Sequence, residues 1–213
     1  MKKTLNYIAN RLNLTLDDSL VDENSKINYL VTNQMLVIDF LSIICKYTNH
    51  LYTIDNTTLK VVDKLKAFDN PTLTREFDEY VIIKDSFEIE DKDIIKSFRA
   101  KYIGFKPNGL ELEKEIKELA VKTSLYPAGS VQDVEVFDYV EAGIRYELNK
   151  LKKLYDNYET VSFKVLLKEP VGLFEKIIFN AGEFKGEMLV LNRSIDYESG
   201  TQTLKGLASV DNL

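Results

Sequence analysis

The sequence predicts an α+β protein, with a small α/β module followed by a larger, mainly β domain that carries one inserted helix. Three observations lead to this prediction. A nearly all-apolar helical segment is followed at once by a short hairpin pattern, an amphipathic helix covers about 138–155, and alternating apolar and polar residues around that helix indicate strands. We place the boundary between the two domains between residues 65 and 66, which gives a module at 1–65 and a domain at 66–213.

The apolar segment is the strongest signal in the chain. Only Asp39, Ser42 and Lys46 break it, and their i, i+3, i+7 spacing puts them on one narrow stripe. We therefore expect the helix to be covered on most of its surface, with Asn33 as its cap. Its apolar residues are Leu36, Val37, Ile38, Phe40, Leu41, Ile43, Ile44, Cys45 and Tyr47.

A β-hairpin is predicted directly after this helix. Its strands are Leu51–Asp55 and Leu59–Asp63, with 56–58 as the turn. Before the apolar helix, the spacing of apolar residues predicts a short helix from about Leu5 to Leu12, capped by Thr4. The hairpin is one candidate cover for the apolar helix.

Two segments of the first half look irregular. The polar stretch 13–32 is predicted to be a connection, in which Ile27, Tyr29 and Leu30 form a short strand. The stretch 64–84 is predicted to be a loop that is broken by Pro71.

The second half is predicted to be mainly β. Ile94–Gly104 and Thr160–Leu167 are expected strands, whereas Leu110–Thr123 fits either a helix face or a charged edge strand. Asp138–Tyr155 is predicted to be a helix with Glu141 and Arg145 at i, i+4. A closing hairpin joins Glu187–Tyr197 to Thr201–Val210, because Gly200 supplies the positive φ of such a turn.

Composition limits the classes of function. The net charge is −6, from 34 acidic and 28 basic residues, which argues against a specific nucleic-acid binder. No apolar run reaches 18 residues, so no membrane span is expected. The single cysteine, Cys45, excludes an intrachain disulfide and is expected to be a small buried hydrophobe.

No catalytic, cofactor-binding or metal-binding residue is predicted. His50 is the only histidine and cannot supply a metal cluster by itself. The acidic run 88–93 lacks the glycine and ligand spacing of a calcium loop, so a solvated loop is expected. Lys150, Lys152 and Lys153 are expected to favour the dipole at the C-terminus of a helix rather than to bind an anion.

The chain also resembles phage tail baseplate hub proteins, a superfamily that includes the late control proteins of contractile phages and the hub half of type VI secretion spike proteins. The resemblance lies in the order of the early helix, apolar helix and hairpin, and in three later segments. The segments that carry it are Tyr7–Leu12, Asn33-Gln34, Asp39–Leu41, Thr48–Asp55, Leu59–Asp63, Glu141–Leu148, Tyr158–Phe163 and Arg193–Tyr197.

This resemblance implies a tube-type, β-barrel-like fold for 66–213 and a trimer that joins the tail tube to the spike. Tail tube and spike proteins would then be its partners, and its location would be the virion of a phage or prophage. Because the chain begins near the first hub helix, we expect most of an N-terminal barrel to be lacking, either from a split gene or in a fragment. The alternatives are a carboxylate-based hydrolase of cell-wall glycan and an adhesion or carbohydrate-binding module.

Overall fold

A computed structural model describes residues 1–28, 35–108, 111–168 and 170–211. The predicted cap Asn33 and the predicted strand residues Tyr29 and Leu30 lie outside these ranges. The elements in chain order are α1 (Lys2–Arg11), β1 (Thr15–Leu20), α2 (Val37–Tyr47), β2 (His50–Asp55), β3 (Thr58–Asp63), α3 (Lys64–Asp69), β4 (Thr74–Phe77), β5 (Glu88–Ile89), β6 (Ile95–Asn108), β7 (Glu111–Lys122), β8 (Ser130–Val134), α4 (Glu141–Asn157), β9 (Glu159–Leu166), β10 (Lys176–Ala181), β11 (Phe184–Asp196) and β12 (Thr201–Asp211).

The chain divides into two compact units, and each of them is built from two separate stretches of sequence. The first unit comprises Met1–Lys64 and Ile94–Asp156, and the second comprises Leu65–Asp93 and Asn157–Leu213. One junction between the units lies between Lys64 and Leu65. The predicted domain 66–213, however, is divided between the two units, because 94–156 packs with the N-terminal stretch.

The mixed helix and strand content agrees with the predicted α+β class. The described strands form three sheets, with the orders β1-β3-β2, β7-β6-β8 and β4-β10-β11-β12-β9-β5. Each order ends in two different edge strands, so the described strands do not close into the barrel-like fold that the resemblance implies.

The apolar helix and hairpin form as the sequence predicts. Asp39, Ser42 and Lys46 are exposed, whereas Leu41 and Ile44 are fully buried with α1 and β3 residues. The boundaries differ from the predicted ones. α2 begins only at Val37, since its N-cap Leu36 has extended backbone, and α1 begins at Lys2 with Met1 as its N-cap, so Thr4 lies inside the helix.

The first unit also contains a strand that the sequence pattern does not predict. β1 pairs in parallel with β3, although most of its side chains are exposed or half-buried, so its pattern resembles that of a polar connection. The ambiguous segment Leu110–Thr123 corresponds to the charged edge strand β7.

Helix α4 packs on the sheet of β6, β7 and β8. Ile144 and Leu148 lie in the same apolar cluster as Phe98 and Ala100 of β6. The predicted ion pair forms between Arg145 Nη2 and Glu141 Oε1 at 2.7 Å.

At the start of α4 the backbone is held by a buried carboxylate. Asp138 Oδ1 accepts hydrogen bonds from Asn28 Nδ2 at 2.6 Å and from the Val140 N–H at 2.8 Å. A Cβ at Gly143 would lie 2.2 Å from the other oxygen of Asp138, so a larger residue here would require the Asp138 side chain to shift.

The second unit is built on the six-stranded sheet. Its apolar face buries β9 residues Val161, Phe163 and Val165 together with residues of β10, β11 and β12. The predicted closing hairpin is β11–β12, and Gly200 has φ of 64° at its turn. The predicted loop 64–84 instead contains α3 and β4, and β4 pairs in parallel with the unpredicted β10.

We expect Ile44→Ala to lower the free energy of unfolding by about 2–5 kcal/mol, because it removes buried methyl groups and leaves a cavity. Ser42→Ala, on the exposed stripe, should change it by less than about 0.5 kcal/mol. Phe40 is only half-buried, so Phe40→Ala should lie between the two. Urea unfolding of the three variants measures this order, and equal losses at 42 and 44 would contradict the orientation of α2.

Candidate functional site

The first unit buries a lysine among acidic side chains. Lys150 Nζ lies 2.6 Å from Asp63 Oδ2 and 3.1 Å from Asp22 Oδ2, and the three side chains are at most 7% exposed. The ammonium also donates to the Thr48 carbonyl oxygen at 2.9 Å and to Ser25 Oγ at 3.0 Å. We call Asp22, His50, Asp63, Glu147 and Lys150 the buried ionic cluster.

Four parts of the first unit bring this cluster together. Asp22 follows β1, His50 begins β2, and Asp63 ends β3 directly opposite His50 in the hairpin register. Glu147 and Lys150 lie one turn apart on α4. The fold therefore joins groups that are up to 128 residues apart in the chain.

The dipole role predicted for Lys150 is wrong. Helix α4 continues to Asn157, which leaves Lys150 well before its end and turned inward, and the last turn of α4 has no basic residue. Lys152, in contrast, pairs with Asp156 on a more exposed part of the helix.

His50 is held in its neutral form. Its Nε2 accepts a hydrogen bond from the Asp22 N–H at 3.0 Å, and its Nδ1 therefore carries the proton and donates it to the Thr48 carbonyl oxygen at 2.8 Å. Burial, helped by the positive charge of Lys150, lowers the pKa of His50 to about 4. Both ring nitrogens are thus engaged within the fold.

The carboxylates of the cluster differ in their environments. The pKa of Asp22 is lowered to about 2. Burial alone would raise it, but hydrogen bonds from Tyr146 and the Asn24 N–H and the positive charge of Lys150 together have the larger effect. Burial raises the pKa of Glu147 to about 7, since Lys150 at 3.7 Å compensates only part of the desolvation. The Ser25 hydroxyl also lowers the pKa of Glu147, but by less than burial raises it.

This arrangement favours a structural role over chemistry. Asp22, Asp63 and Glu147 lie within ion-pair distance of Lys150, and the imidazole of His50 is bonded to the backbone of Asp22 and Thr48. Glu147 also lines a cavity of about 440 Å³ beside Lys64 and Leu148. Within the described ranges, no group of three or more His, Cys, Asp or Glu side chains is arranged to hold a metal ion. The cluster links the β1 end, the hairpin and α4.

The other residues considered from the sequence lie elsewhere. Cys45 is buried, as predicted, and burial raises the pKa of its thiol to about 12. In the acidic run, Glu88 and Ile89 form β5, whereas 90–93 contains no helix or strand and Glu90 pairs with Lys205. No described helix is both long enough and apolar enough to cross a membrane.

Replacing Lys150 tests whether the cluster depends on its one ammonium. We expect Lys150→Met to lower the free energy of unfolding by about 3–5 kcal/mol, because it leaves buried acids without their cation. Lys152→Met, which removes a more exposed ion pair of the same helix, should cost less than about 1 kcal/mol. Chemical unfolding of both variants gives the comparison, and similar losses would exclude a special role for Lys150.

The pH dependence of stability separates Glu147 from His50. The pKa of Glu147 rises from 4.5 to about 7 on folding. Glu147 therefore contributes to the free energy of unfolding below pH 4.5, and this contribution is lost as the pH rises through about 7. The pKa of His50 falls from 6.5 to about 4 on folding. His50 therefore contributes to the free energy of unfolding above pH 6.5, and this contribution is lost as the pH falls through about 4. Between about pH 4.5 and 6.5, Glu147 makes the free energy of unfolding fall with rising pH, whereas His50 makes it rise.

Glu147→Gln should remove the part of the pH dependence of stability that comes from Glu147 and leave the part that comes from His50. Relative to the wild type, we expect the variant to gain stability between pH 4.5 and 7.5, by up to about 3 kcal/mol. Glu141→Gln, an exposed position on the same helix, is the control and should show no such gain over this interval. Urea unfolding at half-unit pH steps measures both, and a pH-independent difference for Glu147→Gln would show that this carboxyl titrates normally.

Comparison with known proteins shows similarity at the level of structure. No protein-family model matches the sequence, and no curated protein sequence is significantly similar to it. A tail protein from Neisseria meningitidis superposes with a TM-score of 0.60 and 14% identity over 99% of this chain and 65% of that protein. A 43 kDa tail protein of prophage MuSo2 from Shewanella oneidensis gives a TM-score of 0.60 and 9% identity over 95% and 62% of the two chains.

A third similar structure is a chain from the virion of a native gene transfer agent particle. It has a TM-score of 0.54 and 10% identity, over 84% of this chain and 40% of that one. The chain thus has a fold found in phage and prophage tail proteins. It spans between 40% and 65% of the length of these three proteins.

Proposed function

We propose that this protein is a structural component of a phage or prophage tail, located in the baseplate hub that links the tail tube to the spike. The observation that carries the proposal is the fold, which covers 99% of this chain in the comparison with the Neisseria tail protein. The order of apolar helix, hairpin and closing hairpin, on which the sequence resemblance rests, is present in the described residues.

As a hub protein, the chain would form a homotrimer and contact tube and spike proteins. A ring closed around a three-fold axis requires head-to-tail contacts that repeat by rotation. Such a component needs a rigid shape and surfaces for other subunits. The buried ionic cluster supports rigidity, because its members stabilise one another only when the parts of the first unit are in place.

We also propose that the protein has no enzymatic activity of its own. The buried acids Asp22 and Asp63 are ion-paired with Lys150, an arrangement that does not favour glycan hydrolysis by a pair of carboxylates. An assay on purified peptidoglycan, with and without divalent metal ions, tests this. Turnover that a single Asp or Glu substitution abolishes would favour the hydrolase instead.

Locating the protein in tail particles tests the structural role. We expect antibody-gold labelling of particles purified from the native host to mark one end of the tail, because a hub is present at one position along the tube. Quantitative mass spectrometry should give three copies per particle. Labelling along the whole tail would indicate a tube role, and particles without the protein would contradict a virion role.

The tail tube protein gives an internal control for the same experiment, since it should be labelled along the whole length. Disruption of the gene provides the functional test. A hub mutant should yield no infectious particles, and expression of the intact chain in trans should restore them.

A further inference from the structure

Helices α1 and α2 of the first unit form an open groove with an apolar floor and a basic rim. Lys3, Tyr7 and Arg11 follow one another at intervals of four residues, so they lie along one stripe of α1. The opposite wall contains Met35, Val37 and Phe40, and the groove has a volume of about 490 Å³. We call these six residues the basic groove.

The cations of the basic groove lack acidic partners in the described part of the chain. Lys2, one position away, pairs with Glu23 at 3.1 Å and with Asp18 at 3.8 Å. Lys3 and Arg11 form no ion pair with a described residue, and the Arg11 guanidinium instead lies 6.0 Å from the centre of the Tyr7 ring. In a chain with a net charge of −6, a groove with two unpaired cations and no acidic lining residue is complementary to an acidic partner.

The second unit exposes a segment with the opposite character. At the β11–β12 turn, Tyr197 is 79% exposed and lies between Asp196 and Glu198. Asp196 Oδ1 accepts the N–H groups of Glu198 at 3.0 Å and Ser199 at 3.2 Å, and Gly200 completes the turn with φ of 64°. These bonds fix the turn, which lowers the entropy cost of binding through it. We call 196–200 the acidic tip.

We propose that the basic groove of one copy of this chain receives the acidic tip of a second copy. Tyr197 would pack on the apolar floor, and the carboxylates of the tip would approach Lys3 and Arg11. Groove and tip are different surfaces, so this is a head-to-tail contact of the kind that repeats around a ring. The inference rests on the proposed role as a repeating component of a tail.

A second exposed tyrosine, Tyr80, provides a comparison within the same unit. It is 83% exposed and follows Asp78 and Glu79, and Asp78 Oδ1 accepts the N–H groups of Tyr80 and Val81. Lys84 and Asp85 line the pocket beside it. Lys164 lies close enough to Asp196 to lower its pKa, so Glu198 carries the freer charge of the tip. Tyr197 has an acidic residue on each side, whereas Tyr80 is followed by Val81, so the tip presents charge on both sides of its ring. Variants near Tyr80 therefore serve as matched controls.

Exchange of charges gives the first test. The groove variant Lys3→Glu/Arg11→Glu and the tip variant Glu198→Lys should each self-associate at least about tenfold more weakly than the wild type, as measured by sedimentation velocity. An equimolar mixture of the two should recover association, because the acidic groove then meets the basic tip and the unchanged groove meets the unchanged tip. Glu79→Lys in place of Glu198→Lys should neither weaken association nor restore it.

Disulfide trapping detects the contact even if it is weak. Cys45 is buried, so cysteines introduced at the groove and the tip are the accessible ones. Under mild oxidation, Thr4→Cys mixed with Ser199→Cys should give a cross-linked dimer, whereas Thr4→Cys mixed with Glu79→Cys should not. Equal yields, or no dimer with Ser199→Cys, would overturn the proposed contact.

The two proposals can fail separately. If no specific cross-link forms but the protein is found at one end of tail particles, the tail role stands and the proposed contact between copies fails. If the specific cross-link forms but tail particles lack the protein, the contact stands and the tail role fails.

Discussion

The first unit depends on one buried ammonium group. Lys150 compensates the charges of Asp22 and Asp63, and it also donates to the carbonyl oxygen of Thr48. Removing charged groups from water has a large desolvation free energy, which is offset only when every partner is in place. The segment after β1, the hairpin and α4 therefore stabilise one another, although the groups that meet at Lys150 are up to 128 residues apart in sequence.

Local periodicity explains which elements the sequence analysis identified. The α2–hairpin segment, α4 and the closing hairpin carry their apolar patterns within one or two dozen neighbouring residues, and all of them are found in the structure. Strands β1 and β4 have distant pairing partners, and β1 keeps a polar pattern, so the local sequence does not predict them. Strand β10 pairs with the distant β4 but also with the adjacent β11 across Gly182 and Glu183. The same reason explains the domain division, because only long-range contacts show that 94–156 packs with the N-terminal stretch.

The buried ionic cluster was not predicted, although its residues were visible. Charges near the end of a predicted helix usually face water, and on that basis Lys150 was grouped with Lys152 and Lys153. One signal was available in the sequence. Glu147 lies three residues after the buried Ile144, on the apolar side of α4, and Lys150 follows one turn later. A charged pair inside an apolar stripe indicates a buried ion pair, but its partners Asp22 and Asp63 can be found only from the fold.

Inside the protein and on its surface, charges have different consequences. Charges that are paired within the core fix one conformation and leave little capacity to bind a ligand, as the engaged nitrogens of His50 illustrate. Arg11, which forms no ion pair with a residue in the described ranges and lies beside the exposed Tyr7 ring, keeps its capacity for an acidic partner. A protein with a rigid interior and unsatisfied surface groups is suited to assembly, because a preformed surface loses little entropy when another subunit binds to it.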